Sequence, residues 1–270
     1  MRKKENETGN EVIVAERKLP VPSKAALFRF FPGVITISAF CVGFSSIKFA
    51  LFHRWELAAL CIFAAALLDA LDGKVARLIG HSSQFGAQLD SLSDLVCFGV
   101  APSVVLFLKS AYLLDGVGWA ACMFFTVCCA LRLARFNAEM LQCESLPKWE
   151  RKYFKGIPAP AGAILALFPM ILFFWTGTYS FLHPKFVFLC LAAAGALMVC
   201  SVRTFSSKMI EVNAGSAPIA LLALSLLVIC LITDVWLTLV VLVTLYLFLI
   251  PYGAYKYSQN KKALEQSRGE

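Results

Sequence analysis

The chain has 270 residues, of which 59% are hydrophobic and 16% charged, with a formal net charge of +8. Its mean hydropathy is +0.74. Soluble domains are about half apolar and about a quarter charged, so this composition excludes a soluble globular fold and predicts an all-α polytopic integral membrane protein with no separate soluble domain.

Residues 1–24 are polar and carry Arg2, Lys3, Lys4, Arg17, Lys18 and Lys24. No apolar run precedes them, so no cleavable signal peptide is expected, and 1–29 reads as a cytoplasmic segment. Apolar runs long enough to span a bilayer follow at about Phe30–Leu51, Leu57–Ile79, Leu89–Leu108, Gly118–Phe136, Ala159–Trp175, Pro184–Val202, Ala217–Ile232 and Val235–Tyr252. They predict about eight transmembrane helices. The fifth and seventh runs are short, and six or seven helices is the alternative assignment. The membrane domain covers 30–257, and 258–270 forms a polar tail.

With the amino terminus inside, every Lys and Arg except Lys48, Arg54, Lys109 and Lys185 falls in a cytoplasmic segment or at a cytoplasmic helix end. The positive-inside rule therefore puts both termini in the cytoplasm. Such a basic belt attracts anionic headgroups of membrane lipids, so the positive charge calls for no nucleic acid.

The ten cysteines lie mostly in apolar runs, without CxxC or His–Cys spacing, and read as small packing residues rather than redox or metal groups. His53, His81 and His183 are isolated. His81, between the second and third runs, is either a solvated loop residue or a phosphate contact.

The stretch from Asp69 to Asp94, DALDGKVARLIGHSSQFGAQLDSLSD, holds Asp69 and Asp72 at i, i+3 and Asp90 and Asp94 at i, i+4. Each pair occupies one face of its helix. The topology places the first pair at the inner end of the second helix and the second pair at the start of the third, joined by the polar link Gly80–Gln88. Each carboxylate taken singly also fits an exposed helix end. Taken together near hydrocarbon, each uncompensated charge costs about 3 kcal/mol or more. Lys74 and Arg77 are the only local cations, and two positive charges do not balance four negative ones. Oxygen donors without His or Cys select a hard divalent cation, Mg²⁺, Mn²⁺ or Ca²⁺, and Mg²⁺ commonly bridges carboxylates to a substrate phosphate. Gly73 and Gly86 let backbone approach a base or phosphate closely; tight helix packing, with Gly73 and Ala76 at i, i+3, is the other reading.

In full, the residues are Asp69-x2-Asp72-Gly73-x2-Ala76-Arg77-x8-Gly86-x3-Asp90-x3-Asp94. This resembles the signature of the CDP-alcohol phosphatidyltransferases, with no departure at a fixed position. The resemblance implies that Asp69, Asp72 and Asp90 hold two divalent ions on a diphosphate. It implies that Asp94 touches metal and takes the proton of an incoming alcohol. It also implies that Asp72, Gly73, Ala76, Arg77, Gly86 and Asp90 line a CDP-diacylglycerol pocket, and that the protein is a homodimer.

Three further stretches are similar to the phosphatidylserine synthase branch of that family: Leu131-Arg132-Leu133-Ala134-Arg135-Phe136-Asn137, Phe154-Lys155-Gly156-Ile157-Pro158-Ala159-Pro160, and Ser201-x4-Ser206-Ser207-Lys208 after Leu197-Met198-Val199. The first helix opens Pro32-Gly33-Val34-Ile35-Thr36, with Gly33 where the branch usually has asparagine, which puts a polar contact near that helix in question. The resemblance implies transfer of phosphatidyl from CDP-diacylglycerol to L-serine at the cytoplasmic face of a bacterial inner membrane. Arg132, Arg135 and Lys208 are the cations placed to hold the serine carboxylate or the lipid phosphate, although the two arginines also fit simple positive-inside anchoring. The alternatives are another acceptor alcohol, such as choline, glycerol phosphate or inositol, or a cation transporter with the aspartates on its ion path.

Overall fold

The structure, a computed structural model, describes residues 3–5, 11–13, 24–79, 84–142, 153–200, 203–205 and 217–267. Helices carry the fold. They are α1 (Lys24–Leu51), α2 (Trp55–Ile79), α3 (Gln84–Asp94), α4 (Ala101–Lys109), α5 (Asp115–Gln142), α6 (Ala159–Ala166), α7 (Phe168–Thr176), α8 (Pro184–Val199), α9 (Ala217–Thr233) and α10 (Val235–Ser267). Two antiparallel pairs of three-residue strands accompany them: β1 (Lys3–Glu5) with β2 (Glu11–Ile13), and β3 (Tyr153–Lys155) with β4 (Arg203–Phe205).

Each apolar run of the sequence lies largely within helix, and the breaks have local causes. His53, at φ 57°, turns the chain between α1 and α2. Asp234 ends α9 and caps α10, its Oδ1 accepting from the backbone N–H groups of Trp236 and Leu237 at 3.0 Å each. His183 caps α8, its Nδ1 accepting from the Lys185 N–H. At the carboxyl end, α10 runs on past Pro251 and Gly253, through Lys261 and Lys262, to Ser267.

The third apolar run departs from a plain helix. It starts earlier than hydropathy suggests, at Gln84, and passes through a π-helical turn, Leu95–Val100, before α4. Pro102 has no N–H to give to the preceding turn, and its ring crowds the carbonyl four residues back; a widened turn relieves both. The Gly99 carbonyl then takes hydrogen bonds from Ser103 Oγ at 2.8 Å and Thr126 Oγ1 at 3.3 Å, which ties the turn to α5.

Four helical stretches among the described residues are long and apolar enough to cross a membrane: Gly33–Leu51, Phe85–Lys109, Ala111–Glu139 and Val235–Tyr252. The α6–α7 pair, bent by 48°, makes a fifth if it counts as one span, while α8 and α9 are shorter apolar helices. The core is formed where α1 and α2 pack together and where α5 and α6 pack on α8, with Phe98, Phe125, Leu167, Met170 and Met198 fully buried. Outside it, Leu67, Phe85, Leu221, Ile232 and Phe248 are exposed, the pattern expected of helices that face lipid. The chain is built as an integral membrane protein. The nine described cysteines are free thiols, several of them in the core.

Candidate active site

Two helices supply the carboxylates. Asp69 and Asp72 lie on α2, Asp90 and Asp94 on α3, and α1 packs against both helices. One carboxylate oxygen from each of Asp69, Asp90 and Asp94 lies within 4.8 Å of the other two. The carboxyl groups of Asp69 and Asp94 are in hydrogen-bonding contact. Two ionised carboxylates are held in contact only with a proton or a cation between them. The donor set is all oxygen, so the trio fits a hard divalent ion, with coordination positions left for phosphate oxygens or water.

Asp72 stands beside this trio rather than in it. It is 6% exposed, lies within electrostatic reach of Asp69 and Asp90, and accepts a hydrogen bond from the Thr36 hydroxyl of α1. Thr36 is thus a polar contact from the first helix, although Gly33 departs from the family's usual asparagine. Among the described residues, nothing beyond its own helix backbone lies within 4 Å of where a Cβ on Gly73 would stand. The surface of this glycine is exposed. Gly86 is on α3, and Ala76 and Arg77 are on the last turns of α2. His81 and Lys208 lie outside the described residues.

Among the described side chains, positive charge reaches the aspartates from α5. The Arg132 guanidinium acts electrostatically on Asp69, Asp90 and Asp94, and it stacks over the Phe136 ring at 5.5 Å. Lys74, on the same helix as Asp69, is exposed. One turn beyond Arg132, Asn137 and Ser91 are hydrogen-bonded at 3.0–3.1 Å, which fixes α5 against the carboxylate-bearing α3.

Arg135 reaches the other way, donating from Nη1 to the Val199 carbonyl at the end of α8 at 2.9 Å. The turn after β3 meets the same end of α8, where the Ile157 N–H donates to the Leu197 carbonyl. Gly156 sits in this turn at φ 76°, and a Cβ there would stand 2.5 Å from the Met198 carbonyl oxygen, so only glycine fits. Arg132, Arg135, Phe136 and Glu139 of α5 line a small open cleft with Gly156, Ile157 and Pro158. Two stretches that are separate in sequence, α5 and the Gly156 turn, therefore line one cleft, and Arg132 in its lining also acts on the carboxylates.

The profile of the CDP-alcohol phosphatidyltransferases matches residues 29–198. The chain belongs to this family. The matched region holds the carboxylates, Arg132, Arg135 and the Gly156 turn; α9 and α10 lie beyond it. Among similar proteins in the family's wider circle, a CDP-diacylglycerol–serine O-phosphatidyltransferase of Mycobacterium leprae is 40% identical over 200 residues, which cover 72% of this chain and 63% of that protein. One of Mycobacterium bovis is 44% identical over 137 residues, 50% of this chain and 47% of that protein. One of Helicobacter pylori is 34% identical over 199 residues, 73% of this chain and 80% of that protein. The chain thus spans between about half and two thirds of the length of the mycobacterial relatives it matches.

Proposed function

We propose that the protein transfers the phosphatidyl group of CDP-diacylglycerol to the hydroxyl of L-serine, giving phosphatidylserine and CMP. The meeting of Asp69, Asp90 and Asp94 beside Arg132 carries this reading, because it joins a cation-binding carboxylate set to a fixed positive charge, as a diphosphate substrate requires. Family membership supports CDP-diacylglycerol as donor, and the names of the relatives support serine as acceptor.

In this reading Asp69, Asp72, Asp90 and Asp94 hold Mg²⁺ or Mn²⁺, with Ca²⁺ a further fit to the donors. The bound ions supply charge neutralisation of the diphosphate and make CMP a better leaving group. Gly73, Ala76, Arg77 and Gly86 line the nucleotide side of the pocket. Asp94 takes the serine hydroxyl proton as the serine oxygen attacks the phosphorus that bears diacylglycerol. A new P–O bond forms, the bond to the CMP oxygen breaks, and the electron pair leaves with CMP. Arg132, Arg135 and Lys208 hold the serine carboxylate or the lipid phosphate. The cleft between Arg132, Arg135 and the Gly156 turn supports this assignment for the two arginines, because paired guanidinium groups suit a carboxylate.

We take the eight apolar runs as eight spans over 30–257, with 1–29, 258–270 and the site on the cytoplasmic side of a bacterial inner membrane, and the protein as a homodimer. A water-soluble acceptor then reaches the site from the cytosol while the acyl chains stay in the bilayer. The test is incubation of the purified protein with CDP-diacylglycerol and a panel of alcohols, read by CMP release and lipid product. Serine-dependent CMP release that EDTA abolishes and Mg²⁺ or Mn²⁺ restores is the expected result. Full activity in chelator overturns the metal reading; equal use of choline, inositol or glycerol phosphate overturns the acceptor.

A further inference from the structure

Tyr246 lies in the first half of α10, beyond the region matched by the family. Its ring packs on the core, and its hydroxyl is buried with no hydrogen-bond partner among the described residues. The two threonine hydroxyls of this helix are satisfied locally: Thr238 donates to the Asp234 carbonyl and Thr244 to the Val240 carbonyl, each at 2.7 Å. A phenol cannot bond back to its own helix in that way, because the rigid ring carries its oxygen away from the backbone. A phenylalanine would fill the same space without burying an unpaired polar group, so packing alone does not explain the hydroxyl.

Its surroundings suggest a use. The Tyr246 hydroxyl lies within electrostatic range of the Arg132 guanidinium, and Arg132 in turn acts on Asp69 and Asp94. The phenol O–H and the guanidinium are both hydrogen-bond donors, and two donors within electrostatic range of each other suit an anionic oxygen between them.

We propose that Tyr246 is a substrate-binding residue, whose hydroxyl donates a hydrogen bond to an anionic oxygen that Arg132 also attracts. This rests on the reading of the site as a phosphatidyltransferase centre. Two sources offer that oxygen, the diphosphate of CDP-diacylglycerol and the carboxylate of serine. In either case α10 completes a site whose other parts lie in α2, α3 and α5.

The test compares full-length wild type with Tyr246→Phe, which removes one oxygen and keeps the ring. Thermal unfolding is followed with no ligand, with CDP-diacylglycerol and with L-serine, in Mg²⁺, and CMP release is measured in parallel. The variant without ligand should unfold at the wild-type temperature or above, since an unpaired buried hydroxyl has gone. One ligand should need an about 10-fold higher concentration to stabilise the variant, with a matching rise in its KM, while the other ligand is unaffected. A loss confined to CDP-diacylglycerol assigns the diphosphate; a loss confined to serine assigns the carboxylate. Unchanged stabilisation by both ligands overturns the proposal, as does a wild type that neither ligand stabilises. Ligand binding without CMP release in wild type overturns the phosphatidyltransferase reading instead.

Discussion

The hydroxyl of Thr36 on α1 donates to the carboxylate of Asp72 on α2, and both residues are buried. A hydrogen bond to a charged group is worth about 1.5–3 kcal/mol. Thr36→Val keeps the shape and removes the donor, so Asp72 loses the partner that orients it. The KM for CDP-diacylglycerol should rise by about 10-fold or more, and Thr36→Ser should restore most of the loss. A wild-type KM in Thr36→Val would show that the contact does not position Asp72 for substrate.

Asp94 and Asp72 should separate in their effects. Asp94→Asn removes the proposed base and should lower turnover by about 100-fold or more, with CDP-diacylglycerol binding in Mg²⁺ weakened less than in Asp72→Asn. Equal losses of binding in the two variants would make Asp94 chiefly a metal ligand.

Arg135 spends one N–H on the Val199 carbonyl and has others to offer the cleft. Lysine lacks the fork that serves both partners at once. Arg135→Lys should therefore raise the KM for serine about 10-fold and leave that for CDP-diacylglycerol nearly unchanged. Ethanolamine, which has no carboxylate, should be a poor acceptor, because it leaves the cation unpaired. A rise in the KM for CDP-diacylglycerol alone would place Arg135 on the lipid phosphate.

Gly156 tests how the cleft is built. At φ 76° and facing the Met198 carbonyl, an alanine there is strained by about 1–3 kcal/mol. Gly156→Ala should lower the unfolding temperature by several degrees and lower activity with serine as well. An unchanged unfolding temperature would mean that the turn after β3 yields freely.

The arrangement of the carboxylates on their helices was legible in the sequence, because spacings of three and four residues put each aspartate pair on one helix face. The helical, membrane-embedded class was legible as well, since composition and long apolar runs depend on no tertiary contact. Partners that come from distant elements were not. Local counting offered Lys74 and Arg77 against four carboxylates, and had no means of adding Arg132, which acts on three of them from a helix that contacts the site only after folding. The motif quoted around Arg135 and the one around Gly156 carried no sign that they meet the same end of α8. Thr36 stood inside a quoted stretch but had no visible partner, and Tyr246 read as one more aromatic residue in an apolar helix.

The π-helical turn at Leu95–Val100 sets the angle between two halves of one helical stretch. An α-helix turns by about 100° per residue, so the additional residue held in a widened turn rotates everything after it by roughly that angle relative to everything before. The face of α3 that carries Asp90 and Asp94 and the face of α4 that packs into the core are therefore out of phase, and no single helical wheel drawn across 85–109 describes both. The turn works as a clutch within one membrane crossing: the chemistry-bearing half and the packing half are set to different angles, and substitutions that repack α4 need not turn the aspartates away from their site.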